Sequence, residues 1–224
     1  MTRKYEPLDL PKLNRVDGKI RRYVTPEGNA YPSVTTVFSV LPTPHIDEWK
    51  KRVGEEEAER ISKRAAQRGT YIHEQCEYLL QGGDKISKPG ANVFSGMLYL
   101  GQWKTFRPLV NQIGDVLALE APLYSDKLKV AGTVDCVGYW NGKLSIIDFK
   151  TSSRIKKHED IDSYWMQCSA YSAMLYERTG LQAQQLVILM SVDDEDPLVF
   201  VDDVKNWLKR FIDLRKVFTE THGE

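Results

Sequence analysis

The chain has 224 residues, 31 of them basic and 31 acidic. This balance excludes a protein that holds nucleic acid by bulk charge, but not an enzyme whose basic groove is offset by acidic metal ligands. Three cysteines, Cys76, Cys136 and Cys168, with no C-x-x-C spacing, exclude a four-cysteine zinc or iron–sulfur site and fit free thiols in a reducing compartment.

Residues 1–32 read as irregular, with a turn at Pro26-Glu27-Gly28-Asn29. Ser33 can cap a short helix over the residues that follow. Residues 47–68 are rich in Glu, Lys, Arg and Ala, and Glu56 with Arg60 and Glu59 with Lys63 have the i,i+4 spacing of an exposed helix. Gly69 is expected to interrupt it, and Thr70 to cap a second helix ending at Gln81. There Ile72, Cys76, Leu79 and Leu80 form an apolar stripe flanked by His73 and Glu77. A further helix over 92–113 carries Pro108, a candidate kink. Strand-like runs follow at 116–124, 128–140 and 143–150. A helix over 163–179 comes next, with Ser163 as its cap and Gly180 as its stop. Strands at 186–192 and 198–201 precede an amphipathic C-terminal helix built on Val204, Trp207, Leu208, Phe211 and Phe218.

This order predicts an α/β (α+β) fold, a mixed central sheet flanked by helices. A chain of this size buries about 70% of its unfolded surface and needs no metal or disulfide to fold. One domain is expected, with an N-terminal extension over 1–45 packing on it, a helical part over 46–113, a catalytic core over 114–202 and a C-terminal helix over 203–224. No apolar run reaches the roughly 18 residues of a membrane span. The start, MTRKYEPLDL, lacks a signal-peptide core and carries Glu6 and Asp9, unlike a transit peptide. A cytoplasmic protein with no membrane partner is the expectation.

Asn141-Gly142 between two strand-like runs is a two-residue hairpin signal. Counting outward from Trp140 and Lys143 opposes Cys136 to Ile147, Asp135 to Asp148 and Thr133 to Lys150. The alternation of pair types makes Asp135 and Asp148 a non-hydrogen-bonded pair, Cα atoms roughly 4.5 Å apart. Two carboxylates so placed repel, and apolar neighbours make the repulsion worse. A proton, a bridging cation or a divalent metal would relieve it. Lys150 shares the face of Asp148, about 6.6 Å along the strand. On residue types alone, an ion-paired structural cluster and a metal centre both fit.

Asp135 followed by Asp148-Phe149-Lys150 resembles the signature of the PD-(D/E)xK nuclease superfamily, with Val134 where the name has proline. Arg68-Gly69-Thr70-Tyr71-Ile72-His73 resembles the R-G-x-x-x-H helix of the RecB-like exonuclease branch, and Gln167 with Tyr171 its Q-x-x-x-Y motif. Within that branch, Tyr31–Thr35, Gly132–Val137 and Asn141–Ser152 are similar to the mitochondrial genome maintenance exonucleases and their phage and bacterial relatives. The likeness spans residues 31–180.

The resemblance implies a restriction-endonuclease-like core and a Mg²⁺- or Mn²⁺-dependent exonuclease. It would cut phosphodiester bonds from DNA ends, in single strands above all, in replication, repair or recombination. Asp135, Asp148 and the Phe149 carbonyl would hold the metal, joined by His73 and by Glu120 on the first strand. Lys150 would position or activate the attacking water and stabilise charge growing at phosphorus. Gln167 would hydrogen-bond near the metal or the lysine, and Tyr171 would brace its helix beside the DNA. Arg64, Arg68, Thr151, Ser152, Lys156 and Lys157 are candidate DNA contacts, and Trp49, Tyr71 and Trp165 candidate base-stacking residues. A monomer is expected, with DNA and a replication or recombination protein as partners. The alternatives are a double-strand-specific recombination exonuclease, a structure-specific endonuclease and a catalytically inactive DNA-binding module. The intact Asp135, Asp148 and Lys150 argue against the last.

Overall fold

A computed structural model describes residues 3–223. Strands β4 (Val116–Ser125), β5 (Val130–Trp140) and β6 (Lys143–Ser152) form the expected antiparallel meander. Its second turn has Asn141 at φ 50° and Gly142 at φ 77°, the paired positive values that match the twist of a two-residue hairpin. The chain then crosses through α5 (Asp162–Thr179) to β7 (Gln185–Val192), which runs parallel to β6. A parallel neighbour requires such a crossover. β8 (Leu198–Asp202) closes the order β4-β5-β6-β7-β8.

The central strands of the sheet are buried on both faces. Along β7, Leu186, Ile188, Met190 and Val192 enter one core, and Val187 and Leu189 enter the other. That is period-two alternation with both sides apolar, the pattern of a central strand. The first core packs under α5, the C-terminal α6 (Leu208–His222) and the short α1 (Val34–Val37). The second packs under α3 (Glu55–Leu80) and α4 (Val93–Val110). Ser33 caps α1 as expected, accepting the Thr36 N–H at 3.0 Å. Gly180 ends α5 in the left-handed conformation.

Three expectations are corrected. Gly69 does not interrupt the helix. One glycine costs about 1 kcal/mol, less than the buried stripe of Ile72, Cys76, Leu79 and Leu80 returns. The break falls instead at Gly54, φ 86°, between α2 (Pro44–Val53) and α3. Ser163 does not cap α5, which starts one residue earlier behind Ile161, without a side-chain cap. The N-terminal region is not irregular throughout. It holds a small sheet of β1 (Asn14–Val16), β2 (Arg22–Val24) and β3 (Ala30–Pro32), seated on the main sheet through Tyr23, Tyr124 and Ala131. Ahead of it, the Arg3 guanidinium donates to carbonyls at the ends of α3 and α4, including Ile113 and Asn111 at 3.0 Å.

The hairpin turn makes a direct prediction. A Cβ at Gly142 meets nothing within 4 Å, so only its backbone conformation is constrained. Gly142→Ala should lower unfolding free energy by about 1–2 kcal/mol, measured by urea denaturation, without changing the m-value.

Candidate active site

Besides a register shift between Val116 and Ala118 near the start of β4, the regular alternation of β4 and β5 fails at one level. Ala118 and Ala121 lie on the α5 side, whereas Leu119 lies on the α3 side. Val134 and Val137 lie on the α5 side, whereas Cys136 lies on the α3 side. Both strands therefore exchange faces, β4 at Glu120 and β5 at Asp135. Glu120 has φ 43°, a left-handed conformation that is strained for a residue with a Cβ. Ladder pairs flank this level, Leu119 with Cys136 and Ala121 with Val134, while none forms at the level itself.

The β5–β6 register counted from the turn holds as far as Cys136 and Ile147. The next step does not form the expected Asp135–Asp148 ladder pair. The Asp135 carboxylate instead accepts the Phe149 N–H at 2.8 Å, standing in for a backbone partner. The two aspartates come to one place through a split ladder rather than a continued one.

Into this split α3 delivers His73. Its Nε2 donates to the Phe149 carbonyl at 2.8 Å, and a carbonyl can only accept, so this nitrogen carries a proton. Its Nδ1 faces Glu120 Oε1 at 3.4 Å and Asp135 Oδ2 at 3.7 Å. Burial works against a charge on this imidazole, but Asp135 and Glu120 outweigh it and push its pKa up to about 9. One donor atom each from His73, Glu120 and Asp135 lies within 4.8 Å of the others. The Phe149 carbonyl, expected as a metal ligand, here orients His73, the outer support that fixes the tautomer of ligating histidines.

Asp148 and Lys150 project from β6 toward α5. Asp148 is 1% exposed and ion-paired with Lys150. Burial raises the Asp148 pKa and Asp135 adds to this, against the pull of Lys150. Burial opposes the charge on Lys150, but Asp148 and Asp135 overcome it and hold the ammonium protonated. Lys150 Nζ also lies 4.9 Å over the Tyr164 ring. Asp148 Oδ1 is buried without a hydrogen-bond partner, an arrangement that costs free energy unless a further cation or donor meets it. Nitrogen and carboxylate donors around an unsatisfied buried oxygen fit a hard divalent cation.

A family described as the PD-(D/E)XK nuclease superfamily matches residues 21–213. The chain belongs to this superfamily. It is 26% identical over 206 residues to mitochondrial genome maintenance exonuclease 1 of Homo sapiens, covering 86% of this chain and 58% of that protein. The Mus musculus protein of the same name is 28% identical over 138 residues, covering 57% of this chain and 39% of the relative. The chain thus spans little more than half the length of the human relative. PD-(D/E)XK nucleases use divalent metals, and His73, Glu120 and Asp135 form a cluster that could hold one.

The remaining site residues divide into several groups. Gln167 is buried on α5 one turn before Tyr171, whose hydroxyl pKa is raised by burial and by Asp135 and Asp148. Tyr171 is 3% exposed and lies so close to Gly132 that a Cβ there would stand 2.8 Å from its hydroxyl. It braces α5 on β5 and has no surface for DNA. Arg68 is likewise corrected. It is buried and ion-paired to Asp193, just beyond β7. Ser152 is buried and closes a turn by donating to the Arg154 carbonyl at 2.6 Å. Tyr71 and Trp165, expected to stack on bases, are core residues. Arg64 and Lys157 are exposed, and Thr151, Lys156 and Trp49 are half-buried. His158, beside the two lysines, is held by Asp202 at 3.0 Å and packs on Trp165. Glu77 bonds Gln81 and leaves His73 to the site.

Sequence reasoning missed Asp193, 125 residues from Arg68, and Tyr164 beneath Lys150. Both lie where β6 and β7 end and α5 begins. An acidic residue directly after a strand that runs parallel to β6 was the available signal. Arg68→Gln and Asp193→Asn should each destabilise the fold by about 1–3 kcal/mol, and the double variant should lose much less than the sum. Denaturation of the three variants checks this. Additive losses would contradict the pairing.

Proposed function

We propose that the protein is a Mg²⁺- or Mn²⁺-dependent exonuclease that hydrolyses phosphodiester bonds from DNA ends, single strands above all, in DNA replication, repair or recombination. The supporting observation is the convergence of His73, Glu120 and Asp135 beside the Asp148–Lys150 pair. The sequence resemblance and the naming of the mitochondrial relatives for genome maintenance support the substrate and the process. Action as a monomer, with a replication or recombination protein as partner, belongs to the same proposal. So does a reducing compartment such as the cytoplasm of a bacterial or phage-infected cell, which the buried free thiols Cys76, Cys136 and Cys168 suit. Among the described residues no helix is long and apolar enough to cross a membrane.

In this reading His73, Glu120, Asp135 and Asp148 hold the cation. When bound, it supplies Lewis-acid polarisation of the scissile phosphate and acidifies a water. The Phe149 N–H and carbonyl keep Asp135 and His73 aimed at one point. Lys150, paired with Asp148 beside the cluster, positions or activates the attacking water and stabilises negative charge growing at phosphorus. Gln167 and Tyr171 fix the α5 wall against which Asp148 and Lys150 sit.

The test uses end-labelled linear single-stranded DNA with Mg²⁺ or Mn²⁺, beside circular and duplex controls. The natural protein should degrade the linear strand. Lys150→Ala should lower the rate about 10²–10³-fold while keeping the metal-dependent rise in melting temperature. Asp135→Asn should lose both. Degradation by Lys150→Ala at the natural rate would remove the assignment. Duplex-only degradation would replace it with the recombination exonuclease.

A further inference from the structure

His73 and Glu120 open on a cleft of 570 Å³. Glu74 and Glu77 of α3 also line it, so its carboxylates repel a phosphodiester as well as attract a cation. Beyond the site histidine, the cationic lining is Arg15, on β1 of the small N-terminal sheet, and Arg21, in the segment joining β1 to β2. Arg15 lies opposite Tyr23 in the β1–β2 pair, and directly opposed residues share a face. Tyr23 is buried against the main sheet, so this pairing sets Arg15 on the cleft side of β1, where its side chain stays about half exposed.

Asp17 holds the two guanidinium groups side by side. Its Oδ1 accepts from Arg15 Nε and from Arg21 Nε, each at 3.0 Å. Among the described residues neither arginine is ion-paired with Glu74, Glu77 or Glu120. The arginine side chains are 48% and 42% exposed, and exposed pairs of this kind contribute little to stability. The superfamily match begins at Arg21, so Arg15 lies outside it.

We propose that Arg15 and Arg21 form a clamp, preset by Asp17, for a backbone phosphate of the strand being cut. The proposal rests on the nuclease reading. Guanidinium groups recognise phosphate oxygens through paired, charge-assisted hydrogen bonds. Two of them around one carboxylate keep a net positive charge and leave further N–H donors for the ligand. They act by positioning, placing the strand across His73 and Glu120 without touching the reacting atoms.

The experiment measures binding of fluorescent single-stranded oligonucleotides, with and without a 5′-phosphate, by anisotropy in a Lys150→Ala background. Arg15→Gln and Arg21→Gln should each weaken binding roughly threefold at moderate salt and reduce the slope of log Kd against log salt by about 0.7. The double variant should lose roughly tenfold. Asp17→Asn keeps an oxygen that accepts from both guanidinium groups but removes the competing charge, and should tighten binding. Melting temperatures and metal-dependent stabilisation should stay at the parent values in all four proteins. An unchanged salt slope in the double variant would overturn the clamp. Effects confined to the 5′-phosphorylated oligonucleotide would overturn the backbone assignment in favour of an end-phosphate site. Failure of the natural protein to cut the same oligonucleotide with Mg²⁺ or Mn²⁺ would instead count against the nuclease reading itself.

Discussion

Asp148 is buried beside a second carboxylate, Asp135. Each buried ion loses several kcal/mol of hydration unless an opposite charge meets it. The surroundings are arranged around that cost. Lys150 neutralises Asp148 from the same strand, and His73 is drawn into its charged form by Asp135 and Glu120. Three carboxylates face two cations, and one Asp148 oxygen still lacks a hydrogen-bond partner. A divalent cation answers this imbalance in charge and in ligand chemistry. The site is in this sense preorganised toward a metal rather than toward a neutral core.

The backbone supplies what side chains alone cannot. At Glu120 and Asp135 the two strands exchange faces, and the ladder on both sides of β5 is interrupted at that level. A continuous ladder would tie up the Phe149 N–H and carbonyl. The interruption frees the first for Asp135 and the second for His73. Strain at Glu120 is the structural counterpart of bringing donors from α3, β4, β5 and β6 to one point. The α5 crossover then covers β6, so Gln167, Tyr171 and Tyr164 shape the opposite wall.

Much of this was legible in the sequence, for identifiable reasons. Asn141-Gly142 dictates its turn conformation and sets the register as far as Cys136 and Ile147. The alternation and turn signals after Ile113 place the strands and α5 to within two residues. The prediction failed where register arithmetic assumes an unbroken ladder, at Asp135 and Asp148. Glutamate carries no signal for φ 43°, so the face exchange at Glu120 was hidden. Arg68 looked like a DNA contact because it leads into the His73 segment, and its partner Asp193 is remote in sequence. Strands of three residues, such as β1 and β2, are too short to show alternation, so Arg15 on β1 and Arg21 just before β2 went unnoticed.

The central claim is that one divalent cation is held between α3 and the split β5–β6 ladder. Anomalous diffraction from crystals grown with Mn²⁺ tests it most directly. The account predicts a strong difference peak within bonding distance of His73, Glu120 and Asp135, with the Asp148 carboxylate turned to share it. A peak confined to the acidic run Asp193–Asp196, or no peak with Asp148 still paired only to Lys150, would contradict it.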